Sequence, residues 1–94
     1  MLEKIAKFMN CHKGKSMYIR GYDVQVYGLS TTPTMNVHEG SRVIFQIRYS
    51  NGKYWLFYAK EDIPYEVAYD GIPINNDLSN IREEVAQALK TILS

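Results

Sequence analysis

One cysteine and two histidines in 94 residues give this chain little material for a reactive centre. Cys11 has no second cysteine to pair with, so an intrachain disulfide is excluded and no oxidising compartment is required. Cys11 and His12 adjoin on what reads as a helix end, where neighbouring side chains diverge. The Cys and His spacing of a structural zinc site is missing. Glu61, Asp62, Glu66, Asp70 and Asp77 do not follow the calcium-loop pattern, with its turn glycine and closing glutamate. There is no P-loop, no dinucleotide glycine fingerprint and no Gly-x-Ser-x-Gly elbow. No catalytic residue, metal or cofactor is therefore expected, and the chain reads as a non-enzyme. Two acid–base arrangements, His12 with His38 or a Cys11 nucleophile with His38 as base, would have to be assembled in space without supporting residues.

Long apolar runs are also missing, and none approaches the length that spans a bilayer. Met1 to Asn10 mixes charges into its apolar positions, unlike the continuous apolar stretch of a signal peptide. A cytoplasmic protein without a membrane partner is the expectation. Charge of one sign is scarce as well: the net charge is +1. That value conceals an asymmetry, with Lys4, Lys7, Lys13, Lys15 and Arg20 against Glu3 in the first twenty residues, and seven acids against Arg82 and Lys90 from Glu61 onward. Such a layout can orient a partner or a symmetric dimer, but a nucleic-acid-binding domain is usually far more basic.

What the chain does have is an ordinary globular composition, 46% hydrophobic and 22% charged, over a length suited to one domain spanning residues 1–94. It also has eight tyrosines. Tyrosine supplies rigid contact area with a polar tip, and it is equally a good strand former.

The strongest local signal runs from Arg42 to Lys60. Val43, Phe45, Ile47 and Tyr49 alternate with other residues before Asn51-Gly52, and Tyr54, Leu56 and Tyr58 alternate after it. Asn-Gly between two such runs predicts a two-residue type I′ hairpin, because both residues tolerate positive φ. The turn then sets the register. One face pairs Tyr49 with Tyr54, Ile47 with Leu56, Phe45 with Tyr58 and Val43 with Lys60. The other pairs Ser50 with Lys53, Arg48 with Trp55, Gln46 with Phe57 and Ile44 with Ala59. The first is apolar and is expected to meet helices.

Around the hairpin, Leu2, Ile5, Ala6 and Met9 have the spacing of a short amphipathic helix ending near Gly14. Ser16 to Gly28 reads as extended, with its alternation changing phase at Gly21, which predicts a bulge or two short strands meeting at a bend. Residues 29–40 carry turn chemistry and little periodicity, as in a long connection. Tyr65, Val67 and Tyr69 alternate between Pro64 and Pro73 and suggest an edge strand. Asp77 is a candidate N-cap for a last helix lined by Leu78, Ile81, Val85, Ala88, Leu89 and Ile92. The expected fold is α+β: a small antiparallel sheet of three to five strands with N- and C-terminal helices packed on one face.

The helix–strands–helix order is also that of double-stranded-RNA-binding domains. Those domains need basic residues at the start of the last helix to grip phosphates, where this chain has Asp77, Glu83 and Glu84 around a single Arg82. The likeness stops at element order, and it assigns no family.

The second hairpin face therefore draws the functional expectation. Trp, Tyr and Arg are the usual hot-spot residues, and Arg48 is expected to lie over the Trp55 ring. The candidate binding residues are Arg48, Trp55, Phe57, Gln46 and Lys53, joined by Tyr18 and Arg20 if the first strand enters this sheet. The leading expectation is a non-enzymatic protein-interaction module, an adaptor or an inhibitor that occupies a partner's site, binding another protein or itself as a homodimer. In that reading the acidic C-terminal third steers the chain to a basic groove. The alternative is a nucleic-acid-binding protein that stacks bases on the aromatic and basic sheet face. Sequestration of a nucleotide-like ligand between aromatic rings ranks third.

Overall fold

The computed structural model describes all residues from Met1 to Ser94. Helix α1 spans Leu2–Cys11, and strands follow at Ser16–Ile19 (β1), Tyr22–Leu29 (β2), Thr32–Glu39 (β3), Arg42–Ser50 (β4), Lys53–Tyr58 (β5) and Ile72–Pro73 (β6), before helix α2 at Glu83–Leu93. The six strands form one open antiparallel sheet in sequence order, β1 to β6. The fold is α+β as expected, with more strands than the three to five anticipated.

The central hairpin has the anticipated register, from Ser50 with Lys53 to Phe45 with Tyr58. Both turn residues have positive φ, +53° at Asn51 and +77° at Gly52. The ladder stops there, so Val43 with Lys60 is not a pair, although the Ala59 N–H still donates to Ile44 O at 3.3 Å. Nothing crowds the Gly52 position, so Gly52→Val isolates the conformational cost of a β-branched residue in left-handed backbone. We expect a loss of about 1–3 kcal/mol in denaturant unfolding. An unchanged midpoint would contradict the type I′ turn.

Three sequence expectations in the strand and helix assignments need correction. Residues 29–40 do not form a long connection. They hold β3, paired with β2 from Asp23–His38 to Leu29–Thr32 and with β4 from Thr34–Arg48 to Glu39–Arg42. Pro33 sits at the start of β3, beyond its ladder with β4, where a missing N–H costs little. At Gly21 the second of the two anticipated alternatives holds: β1 and β2 are separate strands that meet at a tight turn, with Arg20 and Gly21 at φ +47° and +97°. Tyr65 to Tyr69 is not a strand: one isolated bridge joins Val67 to Ala59, and the proline-bearing edge strand is Ile72–Pro73 instead. The last helix begins at Glu83, not after Asp77.

The reason for that late start lies in residues 75–80. The Asn80 side chain accepts from the Asn75 N–H and donates to Pro73 O, while Asp77 Oδ1 accepts from the Ser79 N–H. Leu78 takes φ +61°. Side chains close this segment into turns that compete with helix, yet Leu78 still reaches the core from the turn, which explains its helix-like spacing with Ile81 and Val85. The contacts to Ser79 hold the Asp77 carboxyl below the ordinary carboxylate range. A lowered folded value stabilises above the unfolded value and is lost as pH falls through the folded one.

The core contains Val24 and Val26 of β2, Met35 and Val37 of β3, Phe45 and Ile47 of β4 and Leu56 of β5. These alternate positions join Ile5 and Met9 of α1, Val85, Ala86, Ala88, Leu89 and Ile92 of α2, and Ile74 and Leu78 in one buried cluster. Asn76 fastens the N-terminus, accepting from the Met1 ammonium and the Leu2 N–H at 3.0 Å each. No helix is long and apolar enough to cross a membrane.

Candidate functional site

Alternation along the strands sends the intervening residues to the opposite face of the sheet. The strand registers arrange them in cross-strand rows. One row runs Ser16, Gln25, Asn36, Gln46, Phe57, and the next runs Tyr27, Thr34, Arg48, Trp55, Pro73. Four of the seven anticipated binding residues, Gln46, Arg48, Trp55 and Phe57, are thus neighbours on this face.

Their contacts are specific. Arg48 Nη2 donates to Gln46 Oε1 at 3.0 Å. Gln46 Nε2 donates to Asn36 Oδ1 at 2.6 Å and to the Tyr27 hydroxyl at 3.2 Å. Asn36 Nδ2 donates to the same hydroxyl at 2.9 Å. Gln46 is only 7% exposed, so its amide depends on these partners. The Trp55 indole N–H donates to Ser50 O at 2.9 Å, which holds the half-buried ring in place. The Arg48 guanidinium lies over Phe57, 5.0 Å from its centroid, and not over Trp55 as anticipated. A Cβ at Gly71 would lie 2.8 Å from Phe57 Cζ, so the ring of Phe57 rests against that glycine.

The remaining anticipated residues separate. Lys53 is exposed at the hairpin end of the face. Tyr18 on β1 does enter the sheet, opposite Asp23 on β2, and is 72% exposed, but it stands beyond the polar network. Arg20 leaves the face altogether. Its Nη1 donates to Thr91 O at 2.9 Å and to Ser94 O and Oγ, so it closes the C-terminus of α2 where unpaired carbonyls attract a cation. Sequence reasoning missed Tyr27, Thr34 and Asn36. The signal for Tyr27 is its alternation with Val24 and Val26, and that for Thr34 and Asn36 is theirs with Met35 and Val37, which turn-forming neighbours on both sides obscured.

Of the groups considered for catalysis, Cys11 and His12 lie at the end of α1 and His38 lies on β3. Cys11 is exposed at the end of α1. His12 donates from Nδ1 to Phe8 O at 2.8 Å and stacks on the Phe8 ring at 4.3 Å, the contacts of a helix C-terminus. His38 is on β3, beside a shallow groove of about 420 Å³ that Tyr18 and Asp23 also line, and its Nε2 is buried without a partner. A larger cleft of about 490 Å³ opens at the Arg42 end of the sheet, where Arg42 and Arg82 face Glu39, Glu61 and Glu84. Arg82 is already placed there by Tyr58: its guanidinium lies 4.1 Å from the ring centroid and its backbone N–H donates to the hydroxyl at 2.8 Å.

On the core side of the hairpin, burial is the first cause and the neighbouring Tyr49 the second in pushing the Tyr54 hydroxyl above the ordinary tyrosine value. The two rings lie 4.8 Å apart. Comparison with protein families, with curated proteins and with solved structures finds no match for this chain.

Proposed function

We propose that this chain is a small non-enzymatic protein-interaction module, an adaptor or an inhibitor that occupies a partner's site, and that it binds through the sheet face bearing Trp55, Phe57 and Arg48. In this reading α1 and α2 cover the opposite face and leave this one for a partner. The observation that supports it most is the constraint on those side chains. Trp55 is tied to Ser50 O, Phe57 is held between Arg48 and Gly71, and Arg48 is tied through Gln46 to β3 and β2. Aromatic and arginine anchors fixed before binding lose less side-chain entropy when a partner arrives.

Base stacking is the competing reading, and the same contacts weigh against it. Arg48 covers Phe57, and only Arg48 and Lys53 supply positive charge near Trp55. A strand of phosphates needs a longer cationic track.

The test is the salt dependence of association with a partner co-purified from the native host, alongside sedimentation of the chain alone for a homodimer. We expect a shallow dependence and no competition by an oligonucleotide. A steep fall in affinity with salt, with the oligonucleotide displacing the partner, would favour the nucleic-acid reading. The double variant His12→Ala with His38→Ala should retain biological activity. Its loss in a folded protein would restore an acid–base mechanism.

A further inference from the structure

The hydrogen bonds on the open face run in one direction. A guanidinium has donors only, so the Gln46 amide must turn Oε1 towards Arg48, and this commits Nε2 to the far side. There Nε2 occupies Asn36 Oδ1 and reaches the Tyr27 hydroxyl, and Asn36, its carbonyl engaged, donates from Nδ2 to that same hydroxyl. The Tyr27 oxygen thus accepts twice. Both of its lone pairs are used, and its own proton is left to donate outward. Arg48 has spent one of its N–H groups on Gln46 and keeps the rest. Tyr27 and Arg48, both exposed, flank the buried Thr34 in one cross-strand row, two strands apart, which is roughly 10 Å at the usual strand spacing. At its two exposed ends the network offers donors.

We propose that this row seats a carboxylate from an acidic peptide segment of a partner protein, with Arg48 as the charged fork and the Tyr27 hydroxyl as a second donor. The inference rests on the sheet face being the binding surface. Charge complementarity selects the occupant. Arg48 and Lys53 at one end and Lys15, whose backbone is bonded to Val26 beside Tyr27, at the other are the cations near the row, a number that a few carboxylates match where a polyphosphate would want more. The planar guanidinium matches a carboxylate in two-pronged geometry. Trp55, next to Arg48 across β4 and β5, gives the apolar part of such a segment a surface.

The probe is the blocked peptide Ac-Glu-Tyr-Glu-NH2, titrated into the full-length ¹⁵N-labelled chain beside its uncharged isostere Ac-Gln-Tyr-Gln-NH2 and an eight-residue oligothymidylate. We expect the glutamate peptide to move the Arg48 side-chain N–H and the Tyr27, Thr34 and Trp55 signals in a saturable way, and to bind about tenfold more tightly than the isostere. Arg48→Met should remove that advantage, and Tyr27→Phe should reduce it about threefold, with the rest of the spectrum reporting an intact fold. Equal binding of both peptides to this face would overturn the carboxylate while leaving the binding face standing. Shifts confined to Lys4, Lys7, Lys13 and Lys15, or no response on the face, would also overturn it. So would tighter binding of the oligonucleotide there. Failure of the face itself is read separately, from a partner whose affinity ignores Trp55→Ala.

Discussion

Replacing Phe45 with alanine should lower the free energy of unfolding by about 3–5 kcal/mol. Phe45 is fully buried near the middle of the sheet, opposite Val37 on β3 and Tyr58 on β5, and it belongs to the cluster that includes both helices. Its removal leaves a cavity that a two-sided packing of strands and helices cannot easily collapse. The matching change one register step away is the control. Phe57→Ala removes a half-buried ring that touches Arg48 and Gly71, and should cost only about 1–2 kcal/mol. Denaturant unfolding of the two variants with a common slope measures the contrast. Equal losses would mean that both faces of the sheet are core, and a larger loss at Phe57 would reverse inside and outside.

Trp55→Ala should weaken association with a partner by about 2 kcal/mol or more, and should affect stability less. A hot-spot tryptophan contributes through area that is already ordered. Here the indole N–H bond to Ser50 O holds the ring while leaving it half exposed. Arg48, its cross-strand neighbour, is already exposed and lies over Phe57, so the cation stays available to a partner after the change. The two effects are separated by measuring affinity and unfolding on the same preparation. A variant that unfolds, with no binding defect distinguishable from the loss of fold, would place Trp55 in the core. A folded variant with unchanged affinity would remove the face from consideration.

The central hairpin was legible because its information is local. Asn51-Gly52 permits one tight turn, and the turn determines every pair up to Phe45 with Tyr58. The faces followed from that register, which is why Gln46, Arg48, Trp55 and Phe57 were placed together correctly. What was not legible depends on contacts between distant segments. β3 has only Met35 and Val37 to mark its buried side, and it is a strand because β2 and β4 flank it. Leu78 has helical spacing but reaches the core through a turn closed by Asp77 and Asn80. Arg20 was assigned to the sheet face by proximity to Tyr18. The positive φ of the β1–β2 turn sends it instead to the carbonyls at the end of α2. Arg48 chose Phe57 over Trp55 because its guanidinium is anchored by Gln46, the residue directly opposite Phe57.

Trp55 is the chain's single tryptophan, so its fluorescence reports on the proposed face without any label. Emission of the wild-type chain followed during addition of a purified partner, at fixed salt, tests the account most directly. If the partner covers the Trp55 face, the emission should shift to shorter wavelength as water is excluded from the half-exposed ring. The shift should saturate at the stoichiometry of the complex found by sedimentation. A complex that forms at that stoichiometry while the emission stays unchanged would contradict the account, because the partner would then be bound elsewhere on the molecule.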